Sequence, residues 1–312
     1  MHEKYGPIVR INPEELHCDD YAFVDEIYPS YLRSQLLIMS LMPALGPYLG
    51  PDIAYMVKSM NETIPNHVIK AQQQKSDGTW RLFTGIMNAP IPDEHKTIYR
   101  LSGEGWSVVA AGSETTAASL TVITFFLLSQ PEKLARLREE LKNEDPHKLS
   151  WVQLEKYPYL HGVIYEAFRV GLGISGRLPR VARDEALVYK GRGFNYVVPK
   201  GTAIGMSAFI NHYNEELFPD PEKYEPERWI DAQGKPNHAM EKYILSFSKG
   251  SRQCIGMNLA LCELHLVTAA MALRVLPHLK LYDTTYEDIR YDFDALTPQP
   301  KKGARGVRVT AV

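Results

Sequence analysis

The stretch Phe247-Ser-Lys-Gly-Ser-Arg-Gln-Cys-Ile-Gly-Met-Asn-Leu-Ala260 constrains this chain more than any other. It holds one cysteine, Cys254, between Gly250 and Gly256, with Arg252 two places before the sulfur. The apolar run Leu259 to Leu276 follows directly and predicts a helix. Glycine permits positive φ and close backbone approach, so amide N–H groups can turn toward the sulfur. The N-terminus of the following helix adds partial positive charge. That setting suits a metal-bound thiolate. A lone cysteine in a turn before a core helix is also how a buried, inert structural cysteine looks. The loop alone leaves both readings open.

At 312 residues the chain can bury a large core. With 45% hydrophobic and 23% charged residues it has the composition of an ordinary globular protein. A formal net charge of −2 and the lack of a dense Lys/Arg run argue against a nucleic-acid partner. Cys18, Cys254 and Cys262 are too few for a disulfide framework, which fits a reducing compartment. Cys18 and Cys262 are expected in the core. The polar start, Met1-His-Glu-Lys-Tyr, does not look like a signal peptide. No segment is expected to span a membrane. Leu36–Leu49 is short and broken by prolines, and Ala110–Leu128 carries Glu114 among hydroxyls, which favours a buried helix.

Along the chain, Ile8–Ile11 and Glu15–Cys18 predict a short hairpin, and Tyr21–Tyr28 a short helix. Residues 30–74 read as helical with a break near Pro43–Pro51, and Arg81–Met87 as another short helix. The longest helical pattern runs from Asp93 to about Leu128, on the order of 50 Å. Helices are predicted over Glu132–Asn143 and, amphipathic, over Leu154–Val170. Residues 171–202 read as strands and turns, 217–246 as irregular, and 283–312 as short strands.

Three further clusters stand out. Ala111-Gly-Ser-Glu-Thr-Thr116 lies mid-helix, where Gly and two Thr cost about 1–2 kcal/mol in propensity. Small-residue packing explains the glycine, but not an acid beside a threonine in an otherwise apolar helix. A Thr115 hydroxyl bonded to the Ala111 carbonyl would open the helix and leave a groove at Gly112 that fits a diatomic ligand. Glu166 and Arg169 share a helix face, and Pro226-Glu-Arg-Trp229 follows downstream. Arg177-Leu-Pro-Arg180 and Asn211-His-Tyr-Asn214 complete the set. The ten histidines show no HExxH or paired spacing, so no second metal site is expected.

Phe-x-x-Gly-x-Arg-x-Cys-x-Gly, complete here, resembles the haem-binding loop of the cytochrome P450 family, and the other clusters follow in family order. KYGPIVRI and FPDPEKYEPERW are most similar to fungal microsomal members, including the trichodiene oxygenase type. The resemblance implies a mainly α fold with small β-sheets. It implies one domain over 1–312: a hairpin and short helix in 1–29, roof helices in 30–75 and a haem-binding core in 81–312. Cys254 would be the axial ligand of haem b iron, with Phe247 packed beside the thiolate and Gly250 and Gly256 framing it. Arg252 and Arg180 would pair with the propionates. Gly112 would leave room for oxygen, Thr115 would hydrogen-bond it and Glu114 would feed protons. Glu166, Arg169 and Arg228 would form a buried structural triad, and His212 would be structural. Arg177 is either a propionate partner or a solvated loop charge.

The implied activity is monooxygenation of a small lipophilic substrate with O2 and electrons from NADPH-cytochrome P450 reductase. Alternatives are a peroxide-using or rearranging haem-thiolate enzyme, or a non-catalytic remnant of a shortened gene. Full-length members of this type sit on the endoplasmic reticulum membrane. The greasy surface of Met39, Met42, Leu45, Tyr48 and Leu49 offers either core packing or peripheral lipid contact. With no anchor in view, the chain as given is expected in the cytoplasm. It also lacks the family's Trp-x-x-x-Arg propionate contact, and it runs from the first small helix straight into the roof helices. Weak haem binding is therefore expected.

Overall fold

Proline or threonine sets the start of three helices in this computed structural model, which describes residues 8–12, 15–18, 55, 58–73, 82–295 and 297–312. Strands β1 (Ile8–Asn12) and β2 (Glu15–Cys18) form the expected antiparallel hairpin, with Ile8 opposite Cys18. The expected Tyr21–Tyr28 helix, the break at Pro43–Pro51 and the apolar Met39–Leu49 surface lie outside the described residues. Of the roof segment, a π turn (Ser59–Thr63) leads into α1 (Ile64–Gln73). Helix α2 spans Leu82–Asn88 and α3 Ile98–Ser129.

The long helix starts later than the pattern predicts. Asp93–Lys96 is a 3₁₀ turn and Thr97 is extended at ψ 150°. Thr97 caps α3, because its hydroxyl accepts the Arg100 N–H at 3.3 Å and its carbonyl the Leu101 N–H at 2.9 Å. Helix α4 runs Pro131–Glu140 and ends three residues earlier than expected. The helix expected over Leu154–Val170 starts four residues later, as α6 (Pro158–Gly171), behind a separate single turn, α5 (Trp151–Leu154). Pro158 brings no N–H and pushes Tyr157 out of the helical region, to ψ 111°. Nor is α6 amphipathic. Every residue from Tyr159 to Val170 is buried, the signature of a helix enclosed on all sides.

Strands β3 (Arg180–Val181), β4 (Leu187–Gly191), β5 (Phe194–Val198) and β6 (Ala203–Gly205) precede the short α7 (Ala208–His212). A sheet of order β1-β2-β6-β3 pairs β6 parallel to β2 and antiparallel to β3, while β4 and β5 form a separate hairpin. Gly205 is required in β6, because a Cβ there would lie 2.6 Å from the Arg177 carbonyl. The irregular stretch holds the 3₁₀ turns Pro226–Trp229, His238–Tyr243 and Gly250–Arg252. Helix α8 (Met257–Arg274) follows, then β7 (Leu279–Leu281), β8 (Phe293–Ala295), β9 (Thr297–Gln299) and β10 (Val309–Ala311).

Two compact units emerge, Met1–Leu32 with Thr115–Val312, and Arg33–Glu114; the division falls inside α3. In the smaller unit α3 packs so closely on α2 that a Cβ at Gly105 would sit 2.7 Å from the Phe83 ring. In the larger unit the core joins Val122, Ile123 and Phe126 of α3 to Val163, Ile164 and Phe168 of α6 and to Leu264 and Ala269 of α8. Phe126 stacks on Tyr224 at 4.2 Å, and the Tyr224 hydroxyl donates to the Val163 carbonyl at 2.7 Å. By length and hydropathy Ile98–Ser129 and Met257–His278 could each cross a membrane, contrary to the expectation that no segment qualifies. Both contribute fully buried side chains to this core, as core helices of similar length and composition also do. Cys262 is only half-buried, not a core residue as expected.

Candidate active site

The site is built outward from α6, whose burial forces its polar side chains to find partners. Glu166 and Arg169 are both fully buried. Arg169 donates Nε to Glu166 Oε2 at 2.9 Å and Nη2 to Oε1 at 2.8 Å, a two-pronged pair. Its remaining N–H groups reach the His212 carbonyl at 3.0 Å and the Lys223 carbonyl at 2.9 Å. Arg228 closes the expected triad through Nε to Glu166 Oε1 at 3.3 Å. Two further donors converge on the same carboxylate, the Glu225 N–H and the Trp229 indole N–H, each at 2.9 Å. Spacing alone gave no sign of these. Five bonds from four residues make Glu166 the node that joins α6 to the Pro226–Trp229 turn. That turn lies close enough that a Cβ at Gly162 would meet the Pro226 carbonyl at 2.3 Å.

His212 relays this order to the cysteine loop. Its Nε2 accepts the Leu245 N–H at 2.8 Å, which leaves Nδ1 to donate to the Arg169 carbonyl at 3.0 Å. Burial pushes its pKa down to about 3, so the ring is neutral and structural, as its sequence setting suggested. Asn211 donates to the Tyr243 carbonyl at 2.7 Å, and the Ser246 hydroxyl to the Phe168 carbonyl at 2.9 Å. Each of these bonds pins the chain just before Phe247.

The loop itself folds back on its own backbone. The Cys254 N–H donates to the Phe247 carbonyl at 2.9 Å, and the Phe247 ring meets Phe168 edge-on at 4.8 Å. Ser248 and Gly250 take left-handed φ values of 57° and 72°. Arg252 is exposed on the 3₁₀ turn, and Gly256 is the residue from which α8 starts. A Cβ at Gly256 would touch the Cys254 sulfur at 3.9 Å. Cys254 is exposed, not a buried structural cysteine, and its neighbour Ile255 stands at 102% exposure. Arg180, buried on β3, donates Nη2 to the Ser248 hydroxyl at 2.9 Å, and so reaches the loop from the opposite side in sequence. Arg177 is exposed. A soft sulfur donor on an exposed, rigidly held loop fits a thiolate-ligated iron centre.

Gly112, Glu114 and Thr115 lie mid-way along α3, with Glu114 exposed and Thr115 half-buried. The expected opening of the helix does not occur. It stays α-helical from Ile98 to Ser129, and the Ser119 hydroxyl bonds the Thr115 carbonyl at 3.1 Å within the regular ladder. Open space at Gly112 has a simpler origin, since a Cβ there would meet nothing within 4 Å.

The cytochrome P450 family model matches residues 29–289. The chain is 42% identical over 289 residues to the cytochrome P450 monooxygenase MO6277 of Ascocoryne sarcoides, covering 87% of this chain and 55% of that protein. It is 38% identical over 259 residues to the cytochrome P450 monooxygenase TRI4 of Trichoderma arundinaceum, covering 81% and 48%. It is 34% identical over 283 residues to the cytochrome P450 monooxygenase ppzE of Metarhizium rileyi, covering 83% and 72%. The chain spans about half the length of the first two relatives. It belongs to the cytochrome P450 family, whose members carry a haem ligated by a cysteine thiolate.

Proposed function

We propose that this cytochrome P450 is a monooxygenase of a small lipophilic substrate in fungal secondary metabolism. Haem b, when bound, supplies the oxygen-activating chemistry. One atom of O2 enters a substrate C–H bond as hydroxyl, or adds across a double bond. The other leaves as water, with two protons and with two electrons from NADPH delivered by a reductase. Cys254 would offer its sulfur to the iron, with Phe247 packed near it. Arg252 and Arg180 hold the propionates. Thr115 positions a proton for the oxygen, Glu114 passes it in from solvent, and Gly112 leaves the space beside them. Glu166, Arg169, Arg228 and His212 keep the cysteine loop rigid without touching substrate. The reductase and the substrate would be met at the endoplasmic reticulum surface.

The observation that carries this reading is the Cys254 loop, whose exposed thiol sits on a backbone tied down at Leu245, Ser246, Ser248 and Phe247. An acid and a hydroxyl side by side at 114 and 115 favour reductase-driven oxygen chemistry over a peroxide-using enzyme, which needs no proton path from solvent. The test is the spectrum of the reduced, carbon-monoxide-bound protein. Cys254→Ser should abolish the red-shifted band and Cys262→Ser should keep it. A Cys254→Ser protein that keeps that band overturns the ligand assignment. Thr115→Ala should bind haem yet lose product formation by about 10²–10⁴-fold, with reducing equivalents diverted to hydrogen peroxide. Unchanged coupling would remove Thr115 from the proton path.

A further inference from the structure

The larger unit gathers a second set of ligating side chains that the histidine spacing gave no reason to expect. The ligand atoms of His161 on α6, and of His238 and Glu241 on the following 3₁₀ turn, all lie within 4.8 Å of one another. His161 is 3% exposed and its Nε2 makes no hydrogen bond; the nearest carboxylate oxygen, Glu241 Oε1, is 3.6 Å away. His238 Nδ1 contacts the same oxygen at 2.5 Å, and the two imidazoles stand edge to face at 5.3 Å. His265 of α8 lines the same cleft, of about 640 Å³. It too is 3% exposed with an unbonded Nε2. Its Nδ1 faces the Leu261 carbonyl at 2.7 Å, which fixes the proton there and leaves a lone pair on Nε2. Buried ring nitrogens without partners are rare enough to need a reason.

We infer that this cleft binds a divalent transition-metal ion of the zinc class through His161 Nε2, His238 Nδ1 and the Glu241 carboxylate, with water in the fourth position. Two imidazoles with one carboxylate select zinc-type ions over magnesium or calcium, which take oxygen ligands. Bonds of about 2.0–2.2 Å in a tetrahedron put neighbouring ligand atoms about 3.3 Å apart. The 3.6 Å separation of His161 and Glu241 is close to that. The His238–Glu241 contact must open, which is easy because the His238 side chain is 72% exposed. Tyr165 lines the same cleft and stacks on the His161 ring at 4.3 Å, which fixes the orientation of that imidazole. The positive Lys156 and Lys235 and the acidic Glu155 also line the cleft.

The full chain, stripped with chelator and desalted, is titrated with Zn²⁺ against a competing fluorescent chelator. Because the exposed Cys254 is itself a zinc ligand in waiting, the parent is compared with Cys254→Ser, His238→Ala and Glu241→Gln. The parent should bind one zinc with micromolar or tighter Kd, and Cys254→Ser should bind it equally. Loss of an outer partner of a metal ligand already costs 10–100-fold, so loss of the ligand His238 should weaken binding by at least about 100-fold. Both altered side chains are at least partly exposed, so these variants should fold. A parent that binds no zinc, zinc bound as tightly by His238→Ala, or zinc lost in Cys254→Ser each overturns the site.

Discussion

Arg169→Ala is expected to prevent the chain from accumulating as a soluble folded protein, although Arg169 is given no part in the reaction. The side chain is fully buried and makes four hydrogen bonds: two to Glu166, one to the His212 carbonyl and one to the Lys223 carbonyl. Breaking a buried ion pair by removing one partner costs roughly 3–5 kcal/mol. Each buried carbonyl left without a donor adds about 1–3 kcal/mol, though the terms do not sum fully. Against a total stability of about 5–15 kcal/mol, the loss approaches or exceeds what the fold holds in reserve. Arg228→Ala is the control. It removes the 3.3 Å contact to Glu166, the 2.9 Å bond to the Asp220 carbonyl and the 3.3 Å pair with Glu225, all nearer the surface, and leaves the two-pronged Arg169 pair intact, so its cost should be about 1.5–3 kcal/mol. Arg169→Lys should fail nearly as badly as alanine, because an ammonium cannot reproduce the planar fork that serves a carboxylate and two carbonyls at once. The assay is soluble monomer yield followed by urea midpoints. An Arg169→Ala protein within about 1 kcal/mol of the parent, or one more stable than Arg228→Ala, would refute the reasoning.

His212 should make stability depend on pH below neutrality. Its folded pKa of about 3 lies below the free value of 6.5, so between these values the unfolded chain binds the extra proton. Stability from this group is therefore complete above pH 6.5 and falls as pH drops, with a slope of about 1.4 kcal/mol per pH unit. His212→Gln keeps a donor and an acceptor without the titration; urea midpoints from pH 7 to pH 5 should fall less steeply in it, and equal slopes would discount His212. Gly162→Ala should destabilise by more than about 2 kcal/mol, since its Cβ would meet the Pro226 carbonyl at 2.3 Å. Gly112→Ala should do the reverse, adding about 0.5–1 kcal/mol to a helix face with nothing within 4 Å, while lowering turnover if oxygen uses that space. Thermal melts beside product assays separate the two effects. Haem content per chain should fall short of stoichiometric, because Arg252 and Arg180 stand without the family's Trp-x-x-x-Arg contact; a fully loaded, stable monomer would contradict this.

What could be read in advance was whatever depends on local chemistry. Cys254 between two glycines, Glu166 three places before Arg169 and Pro226-Glu-Arg-Trp229 announce themselves because their function needs fixed residue types at fixed short spacings. Boundaries set by one proline or one hydroxyl were misplaced. Pro158 delayed the start of one predicted helix, and Thr97 that of another by capping it. The supposed opening of the helix at Thr115 failed for a different reason. A hydroxyl that bonds back along the helix, as Ser119 and Thr121 do, is absorbed by the regular ladder without breaking it.

What could not be read depends on contacts between residues far apart in sequence. Trp229 reaches Glu166 across 63 positions, and Arg180 reaches Ser248 across 68. His161 and Glu241 meet only because α6 is buried on every face and the His238–Tyr243 turn closes over its first turn. The two kinds of information divide along a physical line. The Cys254 loop, proposed above as the ligand loop, takes its geometry from local glycines and a backbone bond from Cys254 to Phe247. The rigidity of that loop comes from elsewhere, through Arg169, His212 and Leu245, each holding the next across a chain reversal. A substitution in the loop should therefore change what the iron site does. A substitution in the α6 network should change whether the loop exists at all.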